Sequence, residues 1–433
     1  MGSHGDQFHI IIVGGGIAGL VAAIALRAPR RHITVLERSR MLHEVGALIS
    51  LQPNASKIVT KLGLDPFLAT ASPLVDRGFR MFDQAGHVVR ELPLDTARFG
   101  ADRVLYHRQD LHAALRNAAV SDSGVLPGAP VEIRTAAAVV SCRPEDGVVV
   151  LADGTRLQGD LVVGADGIKS VVRSSVLGAQ AAQYPPIPTG LSAYRVLMPR
   201  SLLDGVAGLP PSVTVSDPAI TSMVVGGDRR VIMGPGRGGA LYGLVALVPD
   251  SGGAKDASAS EDKKEDNDSS WVRAGSKAEL KAAFAGFAPW LMDLFEAASD
   301  DDIGLWQLRD LDPLPRWTRG RVVLIGDAAH AMLPTQGQGA SQSVEDAEAL
   351  AAFLAEVGPR PTKPTEQEIS NVLQKVWEAR YDRVSLIQAY SRQQAKPATE
   401  SGSQKVTLDP GQFLQFNCDY DGAVDWLKRR RAA

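Results

Sequence analysis

The sequence predicts an α/β fold made of a Rossmann-like domain, an inserted, mainly antiparallel β-sheet domain and a helical C-terminal region. Three observations support this prediction. A strand, a glycine-rich turn and a helix follow one another near the start of the chain, and the stretch 184–249 is rich in short strands. The chain after Ser341 is mostly helical in its pattern and is interrupted by a proline-rich stretch, 358–365.

The composition of the chain excludes some classes of function. The chain has 433 residues, of which 45% are hydrophobic and 22% charged, as in a globular protein of two or three domains. A net charge of -3 provides no general attraction to nucleic acid or to anionic lipid, so neither partner is expected. We find neither a secretory signal nor an apolar segment long enough to cross a membrane. We therefore expect a cytoplasmic protein that is a monomer or a homodimer.

The two cysteines, Cys142 and Cys418, have no CxxC neighbour and no metal-ligand spacing. A disulfide between them is not indicated, because the missing secretory signal favours a reducing compartment. No metal site is expected.

The stretch HIIIVGGGIAGLVAAIAL, residues 9–26, divides at its glycines. The β-branched block from Ile10 to Val13 favours a strand, and the alanine-rich block from Ile17 to Ala28 favours a helix. A signal peptide would carry leucine and alanine where these glycines lie. The stretch therefore predicts a strand, a turn and a helix.

The turn carries a GxGxxG motif formed by Gly14, Gly16 and Gly19. Such glycines allow a tight turn, let the backbone approach a pyrophosphate, and pack the helix near its strand with its N-terminus facing the phosphates. The next apolar block, 32–36, ends at Glu37, about 20 residues after the glycines, where a ribose-binding acid is expected. Together these features predict a dinucleotide site.

The middle of the chain is predicted to be rich in β-structure. Residues 75–103 have the pattern of a β-hairpin with its tip at 84–86. Residues 131–163 have the pattern of short antiparallel strands. Residues 184–249 are expected to form a separate sheet. Its predicted strands are 190–198, 212–216, 221–225, 230–233 and 241–247. Residues 251–270 carry many charges and no large apolar side chain, and this predicts a disordered surface loop.

Two later blocks repeat the pattern of a strand that ends in an acid. DLVVGADGIKSVVR, 160–173, places Asp166 at the end of a strand, and the block 320–350 places Asp327 there and begins a helix near Gly339. A carboxylate at the carboxyl end of a parallel strand can accept from a ribityl or ribose hydroxyl, and helix N-terminal amides can hold the polar edge of a flavin ring. The Asp-Gly or Gly-Asp turn in each block is common by itself. The glycine motif and both of these blocks, in this order and at this spacing, are not a common combination.

With these three blocks the sequence resembles a known family, the single-component (group A) FAD-dependent aromatic hydroxylases of the salicylate hydroxylase and para-hydroxybenzoate hydroxylase type. That family has a GxGxxG near the N-terminus, a DG block in mid-chain and a GD block in the last third. The resemblance spans residues 8–400. It is strongest to the salicylate-hydroxylase-like branch, common among fungal secondary-metabolism monooxygenases, through AYR at 193–195 and GDAAHAMLP at 326–334.

The resemblance implies a discontinuous FAD-binding domain of the glutathione reductase type. We assign 8–74, 104–183 and 303–350 to the FAD-binding domain, 75–103 and 184–302 to the substrate domain, and 351–433 to the helical C-terminal region.

The resemblance also implies a set of FAD-binding residues. The glycine motif would bind the pyrophosphate and Glu37 the adenosine ribose, while Arg108 would lie along the phosphates and the ribityl chain. Asp166 would serve both FAD and the visiting nicotinamide, and Asp327 would bind the ribityl hydroxyls. The full expected set is Gly14, Gly16, Ile17, Ala18, Gly19, Glu37, Arg38, Gly46, Ala47, Arg108, Val139, Asp166, Gly167, Gly326, Asp327, Pro334, Gly337, Gly339 and Ala340.

The implied activity is that of a monooxygenase with tightly, non-covalently bound FAD, NADPH or NADH as transient reductant, and O2. The reduced flavin forms a C4a-hydroperoxide with O2, and an electron-rich aromatic small molecule attacks it. Arg195 is the best candidate to bind a phenolate or donate to the peroxide; the alternative is an exposed arginine in an ion pair. Pro334 would line the pocket at the reactive edge of the flavin, and Tyr242 is a weaker pocket candidate.

Other aromatic and imidazole side chains are expected to be structural. Trp290, Trp306 and Trp317 are assigned to the core rather than to a substrate clamp, and His330 to a packed or hydrogen-bonded position.

Three other classes are weighed against the hydroxylase. A flavin-dependent halogenase ranks low because its WxWxIP motif is absent. A flavin-dependent reductase or epoxidase of an isoprenoid, and a flavin sensor without turnover, stay open. Within the hydroxylase class, phenol hydroxylation, dearomatisation and indole epoxidation would all use the same flavin intermediate.

Overall fold

A computed structural model describes residues 7–40, 47–214, 217–250, 271–358, 362–395 and 406–432. The predicted loop 251–270 and the predicted FAD contact Gly46 lie outside the described residues.

The strands, in chain order, are β1 (Phe8–Val13), β2 (Arg31–Leu36), β3 (Leu48–Leu51), β4 (Leu74–Phe82), β5 (Val88–Pro93), β6 (Arg103–His107), β7 (Glu132–Arg134), β8 (Val139–Arg143), β9 (Val148–Leu151), β10 (Arg156–Gln158), β11 (Leu161–Gly164), β12 (Ile187–Pro199), β13 (Ala219–Gly226), β14 (Arg229–Gly236), β15 (Leu241–Pro249), β16 (Val272–Ala274), β17 (Ile303–Asp310), β18 (Thr318–Arg319) and β19 (Val322–Leu324). The helices are α1 (Ile17–Ala25), α2 (Pro53–Lys61), α3 (Asp65–Leu68), α4 (Thr96–Phe99), α5 (Arg108–Val120), α6 (Val171–Leu177), α7 (Pro211–Thr214), α8 (Lys277–Ala283), α9 (Pro289–Ala297), α10 (Asp327–His330), α11 (Gly339–Glu356), α12 (Glu366–Ala395), α13 (Pro410–Cys418) and α14 (Ala423–Ala432).

The Rossmann-like sheet has the strand order β18-β19-β11-β1-β2-β7 and is parallel except at the β18–β19 pair. Its central strands are apolar on both faces because both faces are covered. Ile10 and Ile12 of β1 pack with α1, α5 and α11, whereas Ile11 and Val13 pack with α6 and the sheet β10-β9-β8. The predicted Rossmann-like architecture is confirmed.

The second large sheet has the order β16-β17-β12-β15-β14-β13-β4-β6-β3, with β5 added to β4. The predicted hairpin is present as the antiparallel pair β4–β5. As predicted, the strands of 184–249 lie in a sheet distinct from the Rossmann-like sheet, but this sheet also includes strands from outside that stretch and so crosses the predicted domain boundaries. The reason is pairing: β3 and β6, both assigned to the FAD-binding domain, continue the sheet through the β4–β6 and β3–β6 ladders.

One predicted strand is wrong. Residues 212–216 were expected to be extended, but Pro211–Thr214 forms the helical turn α7. Proline at the first helical position favours such a turn, because its fixed φ suits a helix and its missing N–H is not needed there. Residues 215 and 216 lie outside the described part of the chain.

The two faces of the second sheet differ in what covers them. One face packs against α8 and α9 in an apolar core that includes Tyr194, Val196 and Leu244. The other face is directed towards the FAD-binding domain. This arrangement leaves a cavity between the two domains.

The helical C-terminal region is held to the first domain by buried charges. Glu345 and Asp346 of α11 pair with Arg380 of α12, and Arg383 also binds Glu345, with Nε and Oε2 2.8 Å apart. All four side chains are buried. Burial raises the pKa of Glu345, but the charges of Arg380 and Arg383 outweigh it and keep this pKa below its ordinary value.

Within the described ranges, no helix is long and apolar enough to cross a membrane. Cys142 and Cys418 are both buried free thiols, and burial raises the pKa of each to about 12.

Candidate active site

A cavity of about 420 Å³ lies between the Rossmann-like sheet and the second sheet. On the first side it is lined by Gly16, Ile17, Ala18, Ala47, Arg108, Ala165, Gly167, Asp327, Gly337, Gly339 and Ala340, all but one of them predicted FAD contacts. On the second side it is lined by Arg103, Leu105, Arg195, Thr221, Ile232, Gly234, Gly243 and Val245. Pro334 closes it between the two. Residues far apart in sequence thus meet at one site.

The glycine motif has the geometry that its spacing predicts. Gly14 has φ +105°, and a Cβ there would lie 2.3 Å from the carbonyl oxygen of Ala165. A Cβ on Gly19 would lie 2.0 Å from the carbonyl oxygen of Gly14, so helix and strand pack too closely for a side chain. At Gly16, the N-cap of α1, a Cβ would meet nothing within 4 Å. The N-terminus of α1 therefore faces open space, where an anionic group fits.

Glu37 supports the glycine turn directly. Its carboxylate accepts hydrogen bonds from the backbone N–H of Gly15, at 2.7 Å, and of Ser39, at 2.8 Å. Arg38 is exposed beside it. Val139, another predicted FAD contact, is half-buried at the start of β8 and packs against the core under the sheet, away from the lining of the cavity.

The two residues of the DG block, Asp166 and Gly167, have different positions relative to the cavity. The Asp166 carboxylate accepts from the hydroxyl of Ser170 at 2.5 Å and from the backbone N–H groups of Val171 and Val172 at 2.8 and 3.1 Å. It therefore caps α6 instead of lining the cavity. Burial raises the pKa of Asp166. Gly167, with φ +73°, is the member of the pair that lines the cavity.

The GD block presents an acid to the cavity. Gly326 makes the turn with φ +58°, and a Cβ there would lie 2.9 Å from the Cβ of Ala18. The next residue, Asp327, is exposed and lines the cavity. The 18-residue helix α11 begins at Gly339 on the same wall, so its first N–H groups are directed towards the site.

His330 belongs to the same block and is the last residue of α10. Its Nε2 is 2.6 Å from a carboxylate oxygen of Asp346, and its ring packs against Trp317. Both histidine and acid are buried. The assignment of His330 to a structural position is confirmed.

Two arginines line the second side of the cavity in different settings. Arg103 is buried and donates to the Asp76 carboxylate, and its Nη1 also donates to the hydroxyl of Thr221 at 2.8 Å. Arg195 has no such acid partner among the described residues; its guanidinium instead lies 4.7 Å from the ring centre of Trp306. Burial, followed by the positive charge of Arg108, lowers the pKa of Arg195 to about 10. Arg195 therefore remains charged at neutral pH.

Two sequence assignments on this sheet are wrong. Tyr242 does not line the cavity, because side chains alternate along β15 and Val245, which pairs with Arg195, lies three residues away from it. Tyr242 is buried in the apolar core that also contains side chains of α8 and α9, and among the described residues its hydroxyl has no hydrogen-bond partner. Trp306 is not a core residue; it is half-buried beside Arg195. Trp290 and Trp317 are buried, as predicted.

Sequence reasoning missed Arg103, Asp76 and Trp306. Asp76 and Arg103 are paired across β4 and β6, and Trp306 reaches Arg195 because β17 pairs with β12. No local sequence pattern predicts which strands pair or which residues lie opposite each other. A charged residue in an otherwise apolar strand, as at Arg103, was the available indication.

The site has the features that FAD requires. An open helix N-terminus at Gly16 suits the pyrophosphate, the exposed Asp327 carboxylate suits hydroxyl groups, and the α11 amides suit a polar ring edge. A family described as FAD binding domain matches residues 303–360, and one described as NAD(P)-binding Rossmann-like domain matches residues 12–54. Fold and site together define a flavin-dependent oxidoreductase.

Comparison with known proteins refines this class. The chain is 32% identical to the FAD-dependent monooxygenase atnJ of Arthrinium sp, over 88% of this chain and 82% of the relative. It is 35% identical to salicylate hydroxylase of Pseudomonas putida, over 80% of this chain and 76% of the relative. A solved salicylate hydroxylase substrate complex matches with a TM-score of 0.71 and 27% identity over 91% of each chain.

The chain belongs to the family of FAD-dependent monooxygenases that contains salicylate hydroxylase. It is accordingly a flavin monooxygenase that uses FAD, NAD(P)H and O2.

Proposed function

We propose that this monooxygenase acts on an electron-rich phenolic small molecule, bound as its phenolate, in secondary metabolism. The observation that carries the proposal is Arg195, a guanidinium at the cavity with no carboxylate partner among the described residues. A half-buried cation at a cavity is stabilised by a counter-charge, and a phenolate oxygen would supply it. Relatives named for phenolic substrates, such as salicylate hydroxylase, support this class.

The residues on the first side would hold the cofactor. The α1 N-terminus at Gly16 would bind the pyrophosphate, Asp327 would accept from ribityl hydroxyls, and the α11 amides at Gly339 would meet the pyrimidine edge. Bound FAD, once reduced by NAD(P)H, supplies the activation of O2.

The residues on the second side would prepare the substrate. Apolar side chains, among them Leu105, Ile232 and Val245, would exclude water and hold the aromatic ring against Pro334. Arg195 would stabilise the phenolate and so raise the electron density of the ring carbon that reacts. Gly234 would leave room for the ring, because even a Cβ there would meet no atom closer than 3.8 Å.

The test starts from the purified protein. Its visible spectrum reports bound flavin, and oxidation of NADH and NADPH in air is then followed with a panel of phenols and indoles. Stimulation by phenols, with hydroxylated product equal to the NAD(P)H consumed, is the expected result. Stimulation by indoles alone would replace the phenol proposal with indole epoxidation, and flavin with no stimulation by any aromatic compound would point to an isoprenoid substrate or a sensor.

Arg195 has its own test. Arg195→Ala should keep FAD but lose the coupling between NAD(P)H oxidation and product formation. Unchanged coupling would remove Arg195 from the mechanism.

A further inference from the structure

The two arginines on the second side of the cavity are stabilised in different ways. Arg103 is paired with a buried carboxylate, Asp76, so the pair is close to neutral. Arg195 rests on an aromatic ring, that of Trp306, with 4.7 Å between the guanidinium carbon and the ring centre. An aromatic face attracts a cation without neutralising it and without using its N–H donors. Within the part of the chain that the structure describes, Arg195 thus keeps both its charge and its donors for a ligand.

Strand pairing explains how Trp306 reaches this position. In the β12–β17 ladder, Ala193 is opposite Trp306 and Arg195 is opposite Gly304. Residues opposite each other point to the same face, so the indole lies on the face that carries Arg195.

Gly304 provides the space for the indole. A Cβ on this residue would lie 2.3 Å from Cζ3 and 2.4 Å from Cη2 of Trp306. The φ of Gly304 is outside the left-handed region, so its backbone does not require glycine. What requires glycine is the ring that lies over it, next to Arg195.

We propose that Trp306, with Gly304 making room for it, is a positioning residue that holds the Arg195 guanidinium towards the bound phenolate. This inference rests on the proposed function, in which Arg195 stabilises that phenolate. Without the ring, the long arginine side chain would sample other rotamers, and each productive encounter would need it to be ordered again. The expected consequence is weaker substrate binding and uncoupled oxidation, with FAD retained.

The chain offers a matched control. Trp271 makes the same kind of contact with two cations. The guanidinium carbon of Arg309 lies 4.2 Å from its ring centre, close to the Arg195–Trp306 distance, and Nζ of Lys169 lies 4.3 Å from it. Neither Trp271 nor Arg309 lines the cavity. A tryptophan-to-leucine change at Trp271 removes the same kind of contact from the same region of the sheet.

The experiment uses the FAD-loaded enzyme and the phenol that stimulates it most. For Trp306→Leu we expect KM to rise roughly tenfold and product per NAD(P)H to fall several-fold, with unchanged flavin content. Trp306→Phe, which keeps a ring, should recover most of the loss, and Trp271→Leu should match the parent. Parent-like KM and coupling in Trp306→Leu would overturn the inference.

Two further variants separate this inference from the proposed function. If Trp306 acts through Arg195, the double variant Trp306→Leu/Arg195→Ala should be no worse than Arg195→Ala alone, and additive losses would overturn the positioning role. Parent-like coupling in Arg195→Ala would instead refute the role of Arg195 itself. If Trp306→Leu does not fold, Gly304→Ala displaces the same ring, and parent-like kinetics in that variant would equally overturn the inference.

Discussion

Two similar substitutions in the glycine turn are expected to impair the protein for different reasons, one by lowering its stability and the other by lowering its affinity for FAD. Alanine at Gly14 must adopt φ +105° and would place its Cβ 2.3 Å from the carbonyl oxygen of Ala165. Such a φ costs about 1–3 kcal/mol in a residue with a side chain, and the overlap adds a comparable cost because backbone must move. We expect Gly14→Ala to lower the stability of the protein by about 2–6 kcal/mol in total and to yield colourless protein.

Alanine at Gly16 has a different effect. Here φ is -73° and a Cβ meets nothing within 4 Å, so the fold tolerates the methyl group. The change from glycine to alanine at an N-cap costs only about 0.5–1 kcal/mol. The methyl group instead occupies the open space in front of the α1 N-terminus. Gly16→Ala should therefore fold normally and bind FAD at least roughly tenfold more weakly, since a pyrophosphate could no longer contact the backbone N–H groups.

The assay measures two quantities for each variant. Chemical denaturation of the FAD-free protein gives the free energy of unfolding, and titration with FAD gives the affinity. The expected pattern is a large stability loss for Gly14→Ala and an isolated affinity loss for Gly16→Ala. Parent-like FAD affinity in Gly16→Ala would refute the placement of the pyrophosphate at this helix.

Three further predictions concern the acid at the cavity and the buried charges. Asp327→Ala should fold but purify without yellow colour, because the exposed carboxylate is the proposed ribityl ligand; a parent-like flavin spectrum would contradict this. Arg383→Met removes one of the two guanidinium groups that pair with the buried Glu345 carboxylate. It should lower the free energy of unfolding, measured by chemical denaturation, by about 3–5 kcal/mol. Arg431→Met, which removes an exposed ion pair, is its control and should change stability little. Although burial raises the pKa of Asp346, the charges of His330 and Arg380 lower it to about 2 in the folded protein. Because this is below the unfolded value of about 4, the stabilisation by Asp346 is present above pH ~4 and is lost as the pH falls towards 2. Unfolding free energies measured across that range should therefore decrease on acidification, and a flat profile would contradict the depressed pKa.

The cofactor side of the site was largely predictable from sequence. The turn at Gly14, the strand end at Asp327 and the helix start at Gly339 are each local features, in which backbone conformation and neighbouring residues decide the structure. The structure brings these segments to one cavity because carboxyl ends of parallel strands meet at one edge of the sheet. The role of Asp166 was less predictable, since its carboxylate turns to the amides of α6.

The substrate side depended on tertiary structure. From the alternation of a strand alone, Arg195 and Tyr242 could both be directed to the pocket, and only the register between β12 and β15 shows that they lie on opposite faces. The same holds for the stacking of Trp306 on Arg195, which β12–β17 pairing creates. The sequence by itself thus determined the family and the fold class, and it predicted most of the residues that line the first side of the cavity, because these are encoded in contiguous segments. Only the tertiary structure decided which side chains line the second side of the cavity, because strand register and sheet facing arise from contacts between residues far apart in the chain.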